Sequence, residues 1–334
     1  MRRSSAIIFP EPRRVTVGEV PLPPLMATDV LIEIEYTAIS PGTERWCFTD
    51  RLTTPDQDHL AFPHVPGYQA AGVVREAGSQ VKDLAPGDQV FSRNCRAPHD
   101  WGGSWWGGHV GWHVADCQQV IQLPEAVSTY EAASLLLAQV GYNGASKPHI
   151  APGDVAVVIG AGLVGQYAAQ VLRHRGAHVV VTDLVDWRLQ AATRCGADDV
   201  FNSAQGDLRA YVRERWPQGV DIVLETASSA RTVRLATELL RYGGQLVLNG
   251  FYPAPDESRL DWHWLRTKEL IAYFPNSRNR TRLQATLDLI AEGSLDTRSL
   301  VTHEFALAQA PEAYALLLEP QANFLGIVLD WRGA

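Results

Sequence analysis

One stretch of this chain, residues 155–165, constrains its fold more than any other. It reads Val-Ala-Val-Val-Ile-Gly-Ala-Gly-Leu-Val-Gly, an unbroken apolar run that ends in a G-x-G-x-x-G turn. The run predicts a strand buried on both faces, and the turn predicts a helix directly after it. Gly160 permits the tight turn, Gly162 lets the backbone approach a pyrophosphate, and Gly165 lets helix and strand pack closely.

The helix that this turn opens has Leu163 and Val164 in its first turn, where the helix N-terminus favours an anion. A second strand-like run, 179–183, ends in Asp183, 18 residues beyond Gly165. A carboxylate there can accept hydrogen bonds from an adenosine ribose and would repel a 2′-phosphate. The sequence therefore predicts a dinucleotide site that prefers NAD to NADP. The alternative is a tight strand-to-helix turn that binds no ligand.

Composition restricts the other classes of function. The chain has 334 residues, 46% of them hydrophobic, which suits two domains of ordinary size. No run approaches the roughly 18 apolar residues of a membrane span, and residues 1–9 lack a signal-peptide core. The net charge of −8 argues against a nucleic-acid partner. Four cysteines without a C-x-x-C pair fit a reducing compartment, so we expect a cytoplasmic protein that acts on a small molecule.

The pattern of the chain changes twice along its length. Up to about residue 125, short β-branched runs between Pro and Gly predict a mostly antiparallel β domain. After it, strands and helices alternate, which predicts right-handed βαβ units and a doubly wound parallel sheet. Strands are expected at 154–159, 178–183, 220–225, 245–249 and 269–274, and helices near 163–175, 186–195, 207–216, 229–241 and 279–292.

β character returns at 300–305 and 324–329, so we expect the chain to cross back and complete the first domain. The predicted domains are thus 1–125 with 297–334, and 126–296.

These landmarks resemble the medium-chain dehydrogenase/reductase superfamily over nearly the whole chain. Besides the three glycines, they are 67–74, 86–90 and 152–155, which read GYQAAGVV, PGDQV and PGDV. The segments 38–45 and 62–68 are most similar to the branch that contains the 2-desacetyl-2-hydroxyethyl bacteriochlorophyllide dehydrogenases. The resemblance implies an α/β fold, with a GroES-like domain and a Rossmann domain, and an NAD(P)-dependent oxidoreductase.

The zinc-dependent members of that superfamily have metal ligands at positions that are here Pro41, Tyr68 and about Leu136. None of these side chains ligates zinc in the usual way. We therefore expect no metal and a zinc-independent enzyme.

A site built from His64, His109 and His113 is the rival interpretation, although histidines in a Gly/Trp loop more often make ordinary hydrogen bonds. The Trp- and Gly-rich segment 101–112 itself either forms a wall against a flat or sugar-like substrate or packs at an interface.

Three residues near the lost metal position are candidates for catalysis by resemblance. Thr43 matches a hydroxyl that relays a proton in the family, Glu44 matches a carboxylate behind the metal, and Tyr68 replaces a histidine ligand. A hydroxyl there can donate a hydrogen bond to a carbonyl oxygen. The alternatives are a half-buried aromatic role for Tyr68 and an ion pair between Glu44 and Arg45 or another cation.

Further cofactor contacts also follow from the resemblance. Arg188 matches a position that contacts the adenosine ribose, although it could instead cap the following helix or face solvent. Thr226, Gly250 and Phe251 follow predicted strands at the carboxyl edge of the sheet, where ligands of such folds bind. They are expected to flank the nicotinamide half.

The sequence leaves the reaction open among three hypotheses. The first is interconversion of a secondary alcohol and a ketone on a small or ring-containing substrate. The second is reduction of an activated C=C bond or a quinone, and the third is dinucleotide binding without turnover. The resemblance also implies a homodimer joined through edge strands near 269–274.

Overall fold

The computed structural model describes residues 2–52, 60–252, 262–276, 279–319 and 322–333. The strands are β1 (Arg3–Ile8), β2 (Thr16–Pro21), β3 (Asp29–Ile39), β4 (His64–Val65), β5 (Ala70–Ala77), β6 (Gln89–Ser92), β7 (Ser104–Trp105), β8 (Trp112–Asp116), β9 (Ile121–Gln122), β10 (Val155–Ile159), β11 (His178–Asp183), β12 (Asp199–Asn202), β13 (Val220–Glu225), β14 (Leu240–Leu248), β15 (Ile271–Tyr273), β16 (Val301–Ala306) and β17 (Gly326–Asp330). The helices are α1 (Pro41–Phe48), α2 (Thr129–Ala132), α3 (Leu135–Ala145), α4 (Leu163–His174), α5 (Asp186–Arg194), α6 (Leu208–Arg215), α7 (Ala230–Leu239), α8 (Trp262–Thr267), α9 (Arg280–Ala291) and α10 (Ala310–Leu316).

The chain divides into two compact units, of which the first comprises Met1–Leu136 and Leu300–Ala334 and the second Leu137–Ser299. The first unit is built on a seven-stranded sheet in the order β16-β17-β3-β5-β6-β9, with β8 also paired to β3. Its pairings are antiparallel except for β16 with β17. Because β17 pairs with β3, the C-terminal segment is an integral part of the first sheet.

The core of this first unit draws on distant parts of the chain. Phe9, Phe48 and Tyr314 are buried together, with ring centroids 4.9–5.6 Å apart. Tyr314 lies on α10, so the C-terminal return contributes side chains to the core as well as a strand. Helix α1 packs into this core through Cys47 and Phe48.

The second unit contains a six-stranded parallel sheet in the order β12-β11-β10-β13-β14-β15. Every residue of β10 is buried, as expected for a central strand with helices on both faces. The strand order reverses beside β10, so the carboxyl ends of β10 and β13 mark the place where such sheets bind ligands. The predicted α/β class, with a mostly antiparallel β unit and a doubly wound parallel sheet, is confirmed.

Two details of the second sheet differ from the predictions. Strand β12, Asp199–Asn202, was not predicted, because a four-residue edge strand with two apolar residues carries little periodic signal. Strand β14 begins at Leu240, where the predicted helix 229–241 would have continued. The rest of the expected strands and helices of this unit lie within a few residues of their predicted bounds.

No helix among the described residues is long and apolar enough to cross a membrane.

Candidate functional site

The glycine turn between β10 and α4 has a backbone geometry that depends on its glycines. Gly160 has φ = +102°, which only glycine adopts readily. A Cβ on Gly165 would lie 1.8 Å from the carbonyl oxygen of Gly160, so this close approach of helix and turn requires glycine. A Cβ on Gly162 would meet no atom within 4 Å, and the backbone there borders open space.

Gly162 is the N-cap of α4 and supplies no capping side chain, so the first-turn N–H groups of Leu163 and Val164 are available to an anion. These residues therefore fit the diphosphate of a dinucleotide.

Asp183 lies at the end of β11, directly beside this turn. Its Oδ2 accepts the backbone N–H of Ala161 at 2.7 Å, and its Oδ1 accepts those of Leu184 at 2.8 Å and Val185 at 3.1 Å. The side chain is half-buried, and each carboxylate oxygen has more than one acceptor site. The carboxylate therefore holds the turn in place and can still accept a ribose hydroxyl.

Arg188 lies on α5, whose first turn follows Asp183 closely in sequence. Its carbonyl oxygen accepts Nε2 of Gln166 at 2.8 Å, which ties α5 to α4. Its guanidinium carbon is 5.6 Å from the ring centroid of Trp187, and its Nε is buried without a hydrogen-bond partner in the described part of the chain. The side chain is half-buried and its Nε is unpaired among the described residues. Neither of the two alternatives, a helix cap or a solvent-exposed residue, describes it.

The carboxyl ends of β13 and β14 bring the remaining candidate cofactor residues together. Oγ1 of Thr226 donates to the carbonyl oxygen of Ile159 at 2.9 Å and lies 3.2 Å from that of Gly160, so Thr226 packs directly on the glycine turn. Across the same edge, the N–H of Phe251 donates to Oγ of Ser228 at 2.9 Å, and a Cβ on Gly250 would lie 2.7 Å from that oxygen.

A buried carboxylate, Glu225, joins these two strand ends. It accepts Oγ1 of Thr232 at 2.7 Å and the hydroxyl of Tyr252. Burial raises the pKa of the Glu225 carboxyl, and the hydrogen bonds oppose that shift. Sequence reasoning did not find the Glu225–Tyr252 contact, because no local pattern relates residues 27 positions apart.

In the first unit, Thr43 and Glu44 lie on α1, which begins at Pro41 after the extended residue Ser40. Thr43 is half-buried, whereas Glu44 is completely buried. Oε1 of Glu44 accepts the N–H of Ser40 at 2.8 Å, and Oε2 accepts from Nε2 of His109, 3.0 Å away, and from the hydroxyl of Tyr314. Glu44 therefore pairs with His109 and not with Arg45, and its burial leaves it no direct path to a substrate.

Tyr68 follows β4 and is half-buried. Its ring centroid is 5.8 Å from that of Trp106, which in turn is 5.2 Å from the ring of His64. Nδ1 of His64 is 2.7 Å from Oγ of Ser104, and burial lowers the pKa of His64 to about 4. Trp106 thus contacts both Tyr68 and a neutral, buried imidazole.

Zinc is implied by the enzymes this chain resembles, and the side chains that the structure describes do not fit it. Among the described residues, no three His, Cys, Asp or Glu side chains lie together as a metal ion would require. The three histidines of the rival site are engaged separately: His64 with Ser104, His109 with Glu44, and His113 with Oγ of Ser92 at 2.9 Å.

The tryptophans of the 101–112 segment have different surroundings. Nε1 of Trp101 donates to the carbonyl oxygen of Ser104 at 3.1 Å, and Nε1 of Trp105 donates to that of Cys95 at 2.8 Å. Both indoles pack on a small core within the first unit. Trp106 differs from these two, because its ring centroid is 5.8 Å from that of Tyr68, a candidate catalytic residue.

Comparison with known proteins gives two matches to protein-family models. Residues 26–125 match the alcohol dehydrogenase GroES-like domain, and residues 164–292 match the zinc-binding dehydrogenase family.

Individual relatives agree over almost the full length. An L-threonine 3-dehydrogenase of Anaeromyxobacter dehalogenans is 29% identical, with 94% of each chain covered. The 2-desacetyl-2-hydroxyethyl bacteriochlorophyllide A dehydrogenase of Cereibacter sphaeroides is 27% identical, with 99% of each chain covered. The solved structure of an Escherichia coli oxidoreductase/dehydrogenase of unknown specificity has a TM-score of 0.87 and 24% identity, over 98% of this chain and 99% of that one. This last likeness concerns the fold alone.

Proposed function

This chain belongs to the medium-chain dehydrogenase/reductase superfamily of NAD(P)-dependent oxidoreductases, and we propose that it interconverts a secondary alcohol and a ketone without zinc. The observation that carries the reaction is that Thr43 and Tyr68, two residues with hydroxyl groups, are each half-buried in a unit whose described residues offer no metal site. The relative from Cereibacter sphaeroides supports a ring-containing substrate.

We propose that NAD is the cofactor. It supplies the hydride acceptor and donor, and the protein must hold it and manage one proton. The glycine turn and the first turn of α4 would hold the diphosphate, Asp183 and Arg188 the adenosine ribose, and Thr226, Gly250 and Phe251 the nicotinamide half. Asp183 supports NAD over NADP because a carboxylate beside the ribose opposes a 2′-phosphate.

The first unit would supply the proton chemistry. In the direction of ketone reduction, the hydroxyl of Tyr68 donates a hydrogen bond to the carbonyl oxygen and stabilises the charge that develops on it. Thr43 relays the proton that the new alkoxide takes up. Glu44 is buried away from solvent, so it would not contact the substrate. It would contribute by holding α1, the helix that also contains Thr43, in position.

Deuterium transfer from labelled NADH tests the reaction class. With a panel of ketones, enones and quinones, we expect the label on the carbinol carbon of a secondary alcohol. Label on a carbon β to a carbonyl would replace this proposal with C=C reduction, and dinucleotide binding without any label transfer would leave a non-catalytic protein.

Elemental analysis of the purified protein tests the second part of the proposal. We expect far less than one zinc per chain, together with full turnover after dialysis against a chelator. Stoichiometric zinc that is required for turnover would overturn the mechanism.

Two further properties complete the proposal. All four cysteines are free thiols, which supports a reducing compartment such as the cytoplasm. The exposed apolar side chains of Ile271 and Phe274, at and just after the edge strand β15, support a homodimer joined through that edge.

A further inference from the structure

Five buried side chains from five parts of the first unit form one hydrogen-bonded network. Nε1 of Trp331 is 2.9 Å from Oγ1 of Thr37, which is 2.8 Å from Nδ1 of His109. Nε2 of His109 is 3.0 Å from Oε2 of Glu44, the oxygen that also accepts the hydroxyl of Tyr314. All five side chains are at most 4% exposed.

The chemistry of the two ends fixes the direction of the bonds that the Trp331 indole and the Glu44 carboxylate make. The Trp331 indole can only donate, so Oγ1 of Thr37 accepts from it. Oγ1 has a second lone pair and one hydrogen, so it either accepts from Nδ1 of His109 or donates to it. The carboxylate of Glu44 can only accept, so His109 carries a hydrogen on Nε2 and donates it to Glu44.

The other end of the network is a carboxylate that only accepts. Glu44 receives His109 and Tyr314 on Oε2 and the N–H of Ser40 on Oε1. Burial and the charge of Glu44 hold the pKa of the Tyr314 hydroxyl well above its ordinary value, so that hydroxyl remains a donor. Three hydrogen bonds offset much of the cost of burying an ionised carboxylate.

This network is anchored where α1 begins. Ser40 is the N-cap residue of α1, and Glu44 lies one turn later, beside Thr43. The first turn of α1 is thus connected by one carboxylate to the loop that contains His109 and to α10.

We propose that His109 and Tyr314 are positioning residues that act through Glu44 to fix the first turn of α1, and with it Thr43, for the reaction proposed above. The inference rests on the proposed function for its link to catalysis. The position of α1 can be measured without any turnover.

Tyr314→Phe tests the proposal with little change in packing. It deletes the hydroxyl and keeps the ring, which packs edge-on against Phe9 at 4.9 Å. We expect amide hydrogen exchange in residues 41–48 to accelerate about tenfold, as loss of one bond to a charged group allows. We expect kcat to fall about tenfold with the KM for NADH unchanged, because a displaced catalytic group slows chemistry and leaves cofactor binding intact.

Ser92→Ala is the matched control. It removes a buried hydroxyl–imidazole bond to His113, also 2.9 Å long and in the same unit, but has no link to Glu44. We expect a similar loss of unfolding free energy, with exchange in 41–48 and kcat unchanged. If Tyr314→Phe and Ser92→Ala behave alike in both measurements, the positioning role is wrong.

Imidazole ¹⁵N NMR tests the network in the wild-type protein itself. We expect His109 to carry a hydrogen on Nε2, with its signals assigned by their loss in His109→Asn. The Nδ1–H tautomer, which has no hydrogen to donate to Glu44, would overturn the network. Failure of the wild-type protein to reduce any ketone would instead reject the proposed function, while exchange and NMR still decide whether the network holds α1.

Discussion

Oδ2 of Asp183 accepts the backbone N–H of Ala161 at 2.7 Å. The residue proposed to select the cofactor therefore also holds the turn proposed to bind its diphosphate. A substitution of Asp183 therefore changes both cofactor selection and the geometry of the turn, and an experiment must separate these two effects.

Asp183→Asn and Asp183→Ser separate charge from turn geometry. Asparagine keeps an acceptor oxygen at the same distance from the backbone and removes the charge, whereas serine also shortens the side chain and removes the second oxygen. We expect Asp183→Asn to reduce the preference for NAD over NADP, measured as the ratio of kcat/KM values, by roughly tenfold, the effect of one charge-assisted hydrogen bond. Asp183→Ser should reduce it further and also lower the temperature of unfolding. An unchanged ratio in both variants would show that the ribose lies elsewhere.

The glycine turn allows a second pair of matched substitutions. Gly165→Ala places a Cβ 1.8 Å from the carbonyl oxygen of Gly160 and must displace backbone, so we expect destabilisation of about 2–4 kcal/mol in urea unfolding. Gly162→Ala meets no atom within 4 Å. It should leave unfolding unchanged but weaken NADH binding, measured by fluorescence titration, because its methyl group enters the space proposed for the diphosphate. Equal NADH affinity in wild type and Gly162→Ala would contradict that placement.

The extent to which sequence alone predicted this fold depends on the element. Strand β10 was predictable because all five of its residues are apolar and the glycines directly follow. Strand β12 was not predictable, because it lies at the edge of the sheet and three of its four residues are only partly buried. Local pattern is informative where burial is complete and fails where it is partial.

The candidate site was likewise predictable from the sequence only in part. The turn and Asp183 follow from a local spacing, and the structure places them at the ends of two neighbouring strands, β10 and β11. The partners of Glu44 do not, because Tyr314 is 270 residues away in the chain and His109 is 65 away. Nothing in the sequence near Glu44 relates it to either residue, so only the folded chain could identify a buried carboxylate held by three donors.

Tyr68→Phe tests the proposed hydrogen-bond donor. The ring can still pack against Trp106, so we expect little change in stability. Loss of the hydrogen bond that stabilises the developing charge on the substrate oxygen should lower kcat about 10²-fold, with the KM for NADH unchanged. The control is Tyr36→Phe, which removes the hydroxyl of another tyrosine in the same unit. The ring of Tyr36 packs edge-on against that of Tyr130, with centroids 5.1 Å apart, and the variant should retain wild-type kcat. Full activity of Tyr68→Phe would leave Tyr68 with a packing role.

The proposed dimer can be tested at the two edges of the parallel sheet. Ile271 on β15 is 50% exposed, and Val200 on β12, at the opposite edge, is 37% exposed. We expect Ile271→Lys to shift the mass measured by light scattering from a dimer to a monomer, because a charge would be buried in the interface. Val200→Lys should leave the dimer intact. A monomeric wild-type protein, or the reverse response of the two variants, would reject this interface.

His64 makes stability depend on pH in a direction that its burial determines. Burial lowers the pKa of His64 to about 4, whereas an exposed histidine in the unfolded chain titrates near 6.5. Between these values the unfolded state binds more protons, so the unfolding free energy falls as the pH decreases from about 6.5 towards 4. At pH 5 this one residue lowers the free energy of unfolding by about 2 kcal/mol relative to its value at neutral pH. His64→Asn keeps a nitrogen donor for Ser104 and cannot titrate in this range, so urea unfolding at pH 7 and pH 5 should show a smaller decrease for the variant than for wild type. An equal decrease in both would assign the acid sensitivity to other groups, such as His113, whose pKa burial lowers to about 3.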